Sequence, residues 1–444
     1  MRDLLITAIV FGMLPVIVKR PWIGCLMFVW ISLMTPQRFA FGFAYDFPYA
    51  ALIAICTLMG LLLTRDELRY DMNVVLFLLI VFPLWMCVTY AFSLERQAGY
   101  GRWVEVMKIF FFLHVSALVL RTRRHIEWLL WVIVVSVGFF GVKGGLFTLL
   151  SGGGNKVYGP PGDSFLSDNN AISVALAMVI PLMYYLRAVA ESKWVRHGLL
   201  ISMVLSGIAV LGSYSRGALI GVSAMLLFLF FKSQSKVLFG AALAVLVPLA
   251  VGLMPSPWSD RMNSISSYEQ DTSATGRINA WKTAVNVAND RPLVGGGFEM
   301  YSEATFSRYA PDPEDVHAAH SVYFQILGEH GYVGLLILLS IGLSTWLMAR
   351  RLIAVASLDA ETLWAARLAR AIQASLVGFA VGGAFVNIGY WEPPYYEILI
   401  LLVAYKLVTG TPAHAVVPKG SRPAGDENPA GVPRTPAHLP SDSA

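Results

Sequence analysis

The stretch DVHAAHSVYFQILGEHGYVG, Asp315 to Gly334, holds three of the chain's eight histidines and runs straight into an apolar segment over residues 320–349. That segment is long enough to cross a bilayer, which takes about 20 helical residues. Histidine is costly inside lipid and ordinary in a water-facing loop. Clustering His317, His320 and His330 at this border marks the junction between a polar segment and a membrane helix.

Outward from that junction the apolar pattern repeats, at roughly 2–18, 21–35, 48–64, 73–93, 102–120, 126–150, 170–187, 197–213, 216–232, 236–254, 367–388 and 395–409. Each is about one bilayer span or slightly short of it. The chain of 444 residues is 56% hydrophobic and 14% charged, with a mean hydropathy of +0.62. A soluble domain carries about a quarter charged residues. The expected fold class is therefore an all-α polytopic membrane protein with about 12 transmembrane helices.

A net charge of +5 does not argue for nucleic acid in such a chain, because Lys and Arg hold cytoplasmic loops. Lys19/Arg20, Arg65/Arg69, Arg121/Arg123/Arg124, Lys193/Arg196, Lys232/Lys236 and Arg350/Arg351 fall in alternate connections, which should be cytoplasmic. The intervening loops 36–47, 94–101, 151–169, 214–215, 255–319 and 389–394 then face outward, with the N-terminus outside and the C-terminus inside. Lys19 and Arg20 stand where a cleavable signal would need small residues, so no cleavage is expected there. Cys25, Cys56 and Cys87 all lie in apolar segments and suggest neither a zinc site nor a disulfide framework.

One outer loop dominates. The expected organisation is a transmembrane bundle over 1–254, a large loop over 255–319, further membrane helices over 320–409 and a disordered cytoplasmic tail over 410–444. A polar insertion of this length is commonly functional. Within it, Thr275–Asn289 reads as an amphipathic helix with Ile278, Trp281, Val285 and Ala288 along one stripe. Arg291-Pro292 and Gly295-Gly296-Gly297 break it.

Three arginines stand at outward helix ends. In GSYSRGALIG, Gly212 to Gly221, Arg216 opens a membrane helix. The positive end of a helix dipole disfavours a cation there, unless an anion shares the site with the guanidinium and the free N–H groups. The alternative is an arginine snorkelling to lipid headgroups, and spacing alone does not separate the two. In TSATGRINAW, Thr272 to Trp281, Arg277 falls in the first turn of the loop helix with Thr275 as a candidate N-cap. Alone, Arg277 reads more readily as a solvated surface arginine; two arginines at helix starts on the same side of the membrane raise the anion-site reading. Arg102, in GYGRWVEV, is a weaker third candidate.

His320 opens the helix that continues through Ser321, Tyr323 and Leu327. A helix N-terminus and nearby arginines disfavour imidazolium, so the ring should be neutral near pH 7 and able to act as a general base. His317 and His320 could instead share a metal with Asp315 or Glu314, or His320 could be an interfacial histidine bonded to backbone. His330 and Glu329 fit helix packing better. No P-loop, dinucleotide fingerprint, zincin motif or nucleophile elbow is present. No acidic D-x-D cluster offers a Mg²⁺-diphosphate site, so a bound diphosphate would have to rely on arginine.

With SYSRGALIG before the large loop, TGRINAWKTA and RPLVGGGF within it and AHSVYFQILGEHGYVGLL after it, the region 170–340 resembles the bacterial O-antigen ligase and polymerase superfamily. The opening MRDLLITAIVFGMLPVIVKRPWIG is also similar to O-glycosylation ligases found beside exosortase systems. The resemblance implies a metal-independent, cofactor-free GT-C-type glycosyltransferase of the bacterial inner membrane, its large loop and active site facing the periplasm. It would move a glycan from undecaprenyl diphosphate to a sugar hydroxyl of lipid A–core, with inversion. Matched by motif, Arg216 and Arg277 hold the diphosphate, with Arg102 as a further diphosphate contact, and His320 is the catalytic base. His317 has no counterpart in the motif and is a candidate helper or acceptor contact, as are Tyr214 and Tyr323; Trp391 is a candidate for sugar stacking. The rivals are a protein O-glycosylation ligase or an O-antigen polymerase using the same donor and, more distantly, a lipid-linked glycan flippase. A flippase would tend to carry charges at the midplane and repeated halves, and neither is seen.

Overall fold

A computed structural model of the chain describes residues 1–64, 68, 70–162, 164–233, 235–252, 254–263 and 272–410. The expected tail beyond Gly410, together with Arg65 and Arg69, lies outside the described residues. Among the described residues the fold is all-helical. Six helices precede the middle of the chain: α1 (Arg2–Lys19), α2 (Pro21–Met34), α3 (Tyr49–Leu63), α4 (Val74–Ala91), α5 (Arg96–Val119) and α6 (Arg123–Leu150). Then come α7 (Asn169–Val189), α8 (Lys193–Gly212), α9 (Arg216–Lys232) and α10 (Lys236–Gly252). The large loop contributes α11 (Ser256–Asn263), α12 (Thr272–Asp290) and α13 (Glu303–Tyr309). The last three are α14 (Val322–Ala356), α15 (Leu363–Gly382) and α16 (Glu392–Thr409).

By length and composition, α4, α6, α7, α8, α14 and α15 can cross a membrane, while α2, α3 and α10 are apolar but shorter. Where about twelve spans are expected, six helices meet this criterion among the described residues. The apolar runs of the others are shortened by turns or interrupted by charge, as at Arg102, Glu105 and Lys108 in α5. The polytopic, all-helical class holds.

Caps explain several of the helix starts. Asn73 accepts from the Leu76 N–H (2.8 Å) to open α4, and Thr122 from the His125 N–H (3.1 Å) to open α6. Asp168 accepts from Asn170 and Ala171 (2.7 and 3.1 Å) to open α7. Such side chains satisfy N–H groups that have no partner within the helix. The largest core cluster is built around α4, α6, α7, α15 and α16, and α1–α3 wrap a second core containing Val10, Ile17, Cys25, Ile31 and Ile53.

α14 is broken at Gly331, whose φ of 68° and ψ of −171° are open to glycine and strained for other residues. In an unbroken helix the Gly328 carbonyl would accept from the Tyr332 N–H, four residues on. Here the RPLVGGGF stretch of the loop supplies the partners instead. The Gly296 N–H donates to the Gly328 carbonyl (2.7 Å), the Gly297 N–H to the Glu329 carbonyl (2.8 Å), and the Tyr332 N–H donates to the Pro292 carbonyl (2.9 Å). Trp85 Nε1 takes the His330 carbonyl (3.1 Å). Each such group left buried without a partner would cost about 1–3 kcal/mol. The triple glycine is thus more than a helix breaker: it fills the ladder of a broken membrane helix. Arg291 donates to the Phe92 carbonyl and the Leu94 N–H to the Gly296 carbonyl (2.8 Å), which ties the same segment to the α4–α5 turn.

Two expectations for the loop helix are corrected. α12 already includes Thr272, so Thr275 lies inside the helix rather than capping it, and Arg277 lies beyond the first turn. The buried face is not the Ile278–Trp281–Val285 stripe but Ala280, Thr283, Ala284, Val287 and Ala288, with only Ala288 shared. Small residues win that face because α12 packs closely on α14: a Cβ at Gly328 would stand 3.1 Å from Ala284 Cβ.

Candidate functional site

The helix starts of α9 and α14 share one local design. Each is preceded by a non-glycine residue in the left-handed region, Tyr214 (φ 60°) and His320 (φ 43°), and then by a serine N-cap. Such conformations cost about 1–3 kcal/mol and persist where surrounding contacts impose them. Tyr214 is held by its hydroxyl donating to the Gly153 carbonyl (2.6 Å) and by Arg261 Nε donating to its own carbonyl (3.2 Å). Ser215 then accepts from the Ala218 N–H (3.2 Å), which sets Arg216 as the first residue of α9. Gly217 allows this end of α9 to seat against Phe385, whose Cβ would stand 2.5 Å from a Cβ added there.

His320 is positioned from three sides. Trp281 Nε1 on α12 donates to the Ala319 carbonyl (2.7 Å), and its ring stacks on Phe324 with centroids 4.9 Å apart. The Ser321 N–H donates to Asn387 Oδ1 (3.1 Å). Asn279 donates to the Asp312 and Asp315 carbonyls (2.8 and 3.0 Å), pinning the acidic stretch that leads to the histidine.

The electrostatics bring residues from four elements together. Burial holds the His320 imidazole below the ordinary histidine range, and the Arg277 guanidinium pushes the same way, as does His317. The Asp168 carboxylate at the start of α7 opposes them. Asp168 is followed by Asn169, whose side-chain amide donates to the Ser213 carbonyl (2.8 Å) in the turn before Arg216. His320, Arg277, Asp168 and the Arg216 turn therefore share one end of the bundle. An imidazole held below the ordinary histidine range beside the Arg277 guanidinium can accept a proton, and an arginine at such a place can hold a phosphate oxyanion.

The other sequence candidates lie as follows. His317 is exposed, pairs with Asp315 (Nδ1 to Oδ1, 2.8 Å) and packs its ring beside Gly276, one residue before Arg277. Among the described residues no three His, Cys, Asp or Glu side chains converge as metal ligands. Arg102 is clasped by Glu105 (2.9 Å) and Glu299 (3.2 Å) and lies over the Phe165 ring, so a phosphate there would compete with two carboxylates. The Tyr323 hydroxyl donates to the Ala380 carbonyl (2.7 Å). Trp391 is 1% exposed within the core, which corrects its candidacy as a sugar-stacking surface. Asp168, Asn169 and Asn387 were missed by sequence reasoning. Only the first left a signal, an acidic residue directly before an apolar run.

These features define a class: a polytopic helical membrane protein with a basic, histidine-containing site at one end of its bundle. Residues 201–339, which carry Arg216, Arg277, His317 and His320, match the family model described as O-Antigen ligase. The match over this domain supports the O-antigen ligase superfamily, a glycosyltransferase-like family of ligases and polymerases. Residues 1–191 match a family of unknown function (DUF5935). No curated protein gives a match to the sequence.

Proposed function

We propose that the chain is an O-antigen ligase of the bacterial inner membrane and of GT-C type, transferring a glycan from undecaprenyl diphosphate to a sugar hydroxyl of lipid A–core at a periplasm-facing site. The observation that carries this reading is the meeting of His320, Arg277, Asp168 and the Arg216 turn at one bundle end, in a chain with an O-antigen ligase domain. Sidedness is supported by the basic pairs Lys193/Arg196, Lys232/Lys236 and Arg350/Arg351, which all fall at the opposite helix ends.

His320 takes the proton of the acceptor hydroxyl as its oxygen attacks the anomeric carbon. The bond from that carbon to the diphosphate oxygen breaks, and Arg216 and Arg277 receive the charge that develops on the leaving group. A single displacement inverts the anomeric centre. His317 helps to shape the acceptor side, where it stands next to the Arg277 turn. Arg102 bears on diphosphate only by releasing Glu105 or Glu299.

The test incubates purified protein with labelled undecaprenyl-diphosphate glycan and, separately, lipid A–core, further donor glycan or a pilin-like protein. Label moving to lipid A–core, and lost in His320→Ala, is the expected result. Transfer to the protein or to glycan alone instead would identify the O-glycosylation ligase or the polymerase.

A further inference from the structure

At the end of the bundle away from His320, two open cavities meet. One, of about 630 Å³, is walled by Lys19, Arg20 and Arg124, with Trp22 stacked on His125 at 4.6 Å. The other, of about 1000 Å³, shares Arg124 and Trp128 with the first and continues along Trp131, Val135 and Trp30. Arg124, Trp128, Trp131 and Val135 are spaced to lie on one face of α6, so the groove runs about 16 Å along that helix.

We propose that this groove binds one anionic glycerophospholipid, its phosphate at Lys19, Arg20 and Arg124 and one acyl chain along the tryptophan–valine face. Charge complementarity selects the occupant. Lys19, Arg20 and Arg124 are exposed and make no ion pair with a described residue. Two carboxylates also line the larger cavity. Glu127 is engaged by Arg123 (2.7 Å), and Glu191 follows the end of α7. The cations therefore outnumber the unengaged carboxylate, and the anionic head sits on the Lys19–Arg20 side. Basic pockets between membrane helices recognise lipid phosphates, and indole rings favour the headgroup level. The bound lipid would bridge the α1–α2 hairpin to α6, joining the smaller N-terminal core to the main bundle. The groove lies at the far helix ends from the transfer site, so the proposal does not depend on the donor or acceptor.

The experiment titrates full-length protein in neutral detergent with phosphatidylglycerol, phosphatidylethanolamine or phosphatidylcholine and counts bound lipid by native mass spectrometry. One equivalent of phosphatidylglycerol is expected to bind at least tenfold more tightly than either zwitterionic lipid. Arg20→Gln/Arg124→Gln should abolish that preference, as should Trp128→Ala/Trp131→Ala. Arg350→Gln/Arg351→Gln, a basic pair at the same end on another helix, should leave it intact. Each variant is first shown monodisperse and matched to the parent in helical content, with single substitutions replacing any double that is not. Equal binding of all three lipids, equal loss in the Arg350/Arg351 variant, or full competition by millimolar inorganic phosphate would each overturn the proposal.

Discussion

The Gly296 N–H donates to the Gly328 carbonyl over 2.7 Å, at the place where α14 loses its own ladder. The large loop is therefore built into the membrane helix that begins beside His320. Loop and helix form one unit, and that unit depends on the glycines that join them.

Gly331→Ala should show this dependence. A Cβ there would stand 2.5 Å from the Leu293 carbonyl oxygen, on a backbone at φ 68°. Strain of about 1–3 kcal/mol from the conformation alone, with the clash added, should lower the thermal unfolding midpoint in detergent and reduce transfer. An unchanged midpoint would show that the kink does not need glycine.

Replacing His320 by Ala should cut transfer about 10²–10⁴-fold, the usual cost of losing a positioned base. The pH profile gives a second check. Burial and Arg277 lower the His320 pKa from the usual 6.5, so the neutral, proton-accepting form persists as pH falls through 6.5. The acid limb of kcat/KM should accordingly lie below 6.5. Asp168→Asn removes the opposing carboxylate and should move that limb lower still. A limb above 6.5 would exclude His320 as the titrating base.

Arg216→Ala and Arg277→Ala should each cost about 10²–10³-fold in transfer if they stabilise the leaving diphosphate. Lysine keeps the charge but loses the two-pronged geometry, so Arg216→Lys should also be impaired. Wild-type turnover in both alanine variants would remove the clamp. Activity is expected to survive EDTA, and restoration by added Mg²⁺ or Mn²⁺ after chelation would point to a metal at His317 and His320.

The buried polar chain under the site makes a stability prediction. His330 bonds Thr89 (2.7 Å) and the Tyr390 hydroxyl (2.6 Å), and Tyr390 in turn donates to Glu329. Tyr390→Phe leaves both partners short of a bond at about 1–3 kcal/mol. A lower unfolding midpoint is expected, with transfer retained at temperatures where the fold is intact. Loss of transfer without loss of stability would give this chain a role beyond packing.

The sequence by itself determined the helical, membrane-spanning class, because apolar runs of bilayer length leave the backbone few other solutions. It also determined that Arg216 opens a helix and that His320 stands at the border of another. Only the tertiary structure decided which face of α12 is buried, since the choice rests on how closely α14 approaches and not on hydrophobicity. Tertiary structure likewise brought Asp168 and Arg277, with opposing influence, to His320 and buried Trp391 in the core. It also joined Gly295–Gly297 to the kink at Gly331. These are contacts between residues far apart in the chain, and local pattern carries no information about which distant backbone will supply a missing partner.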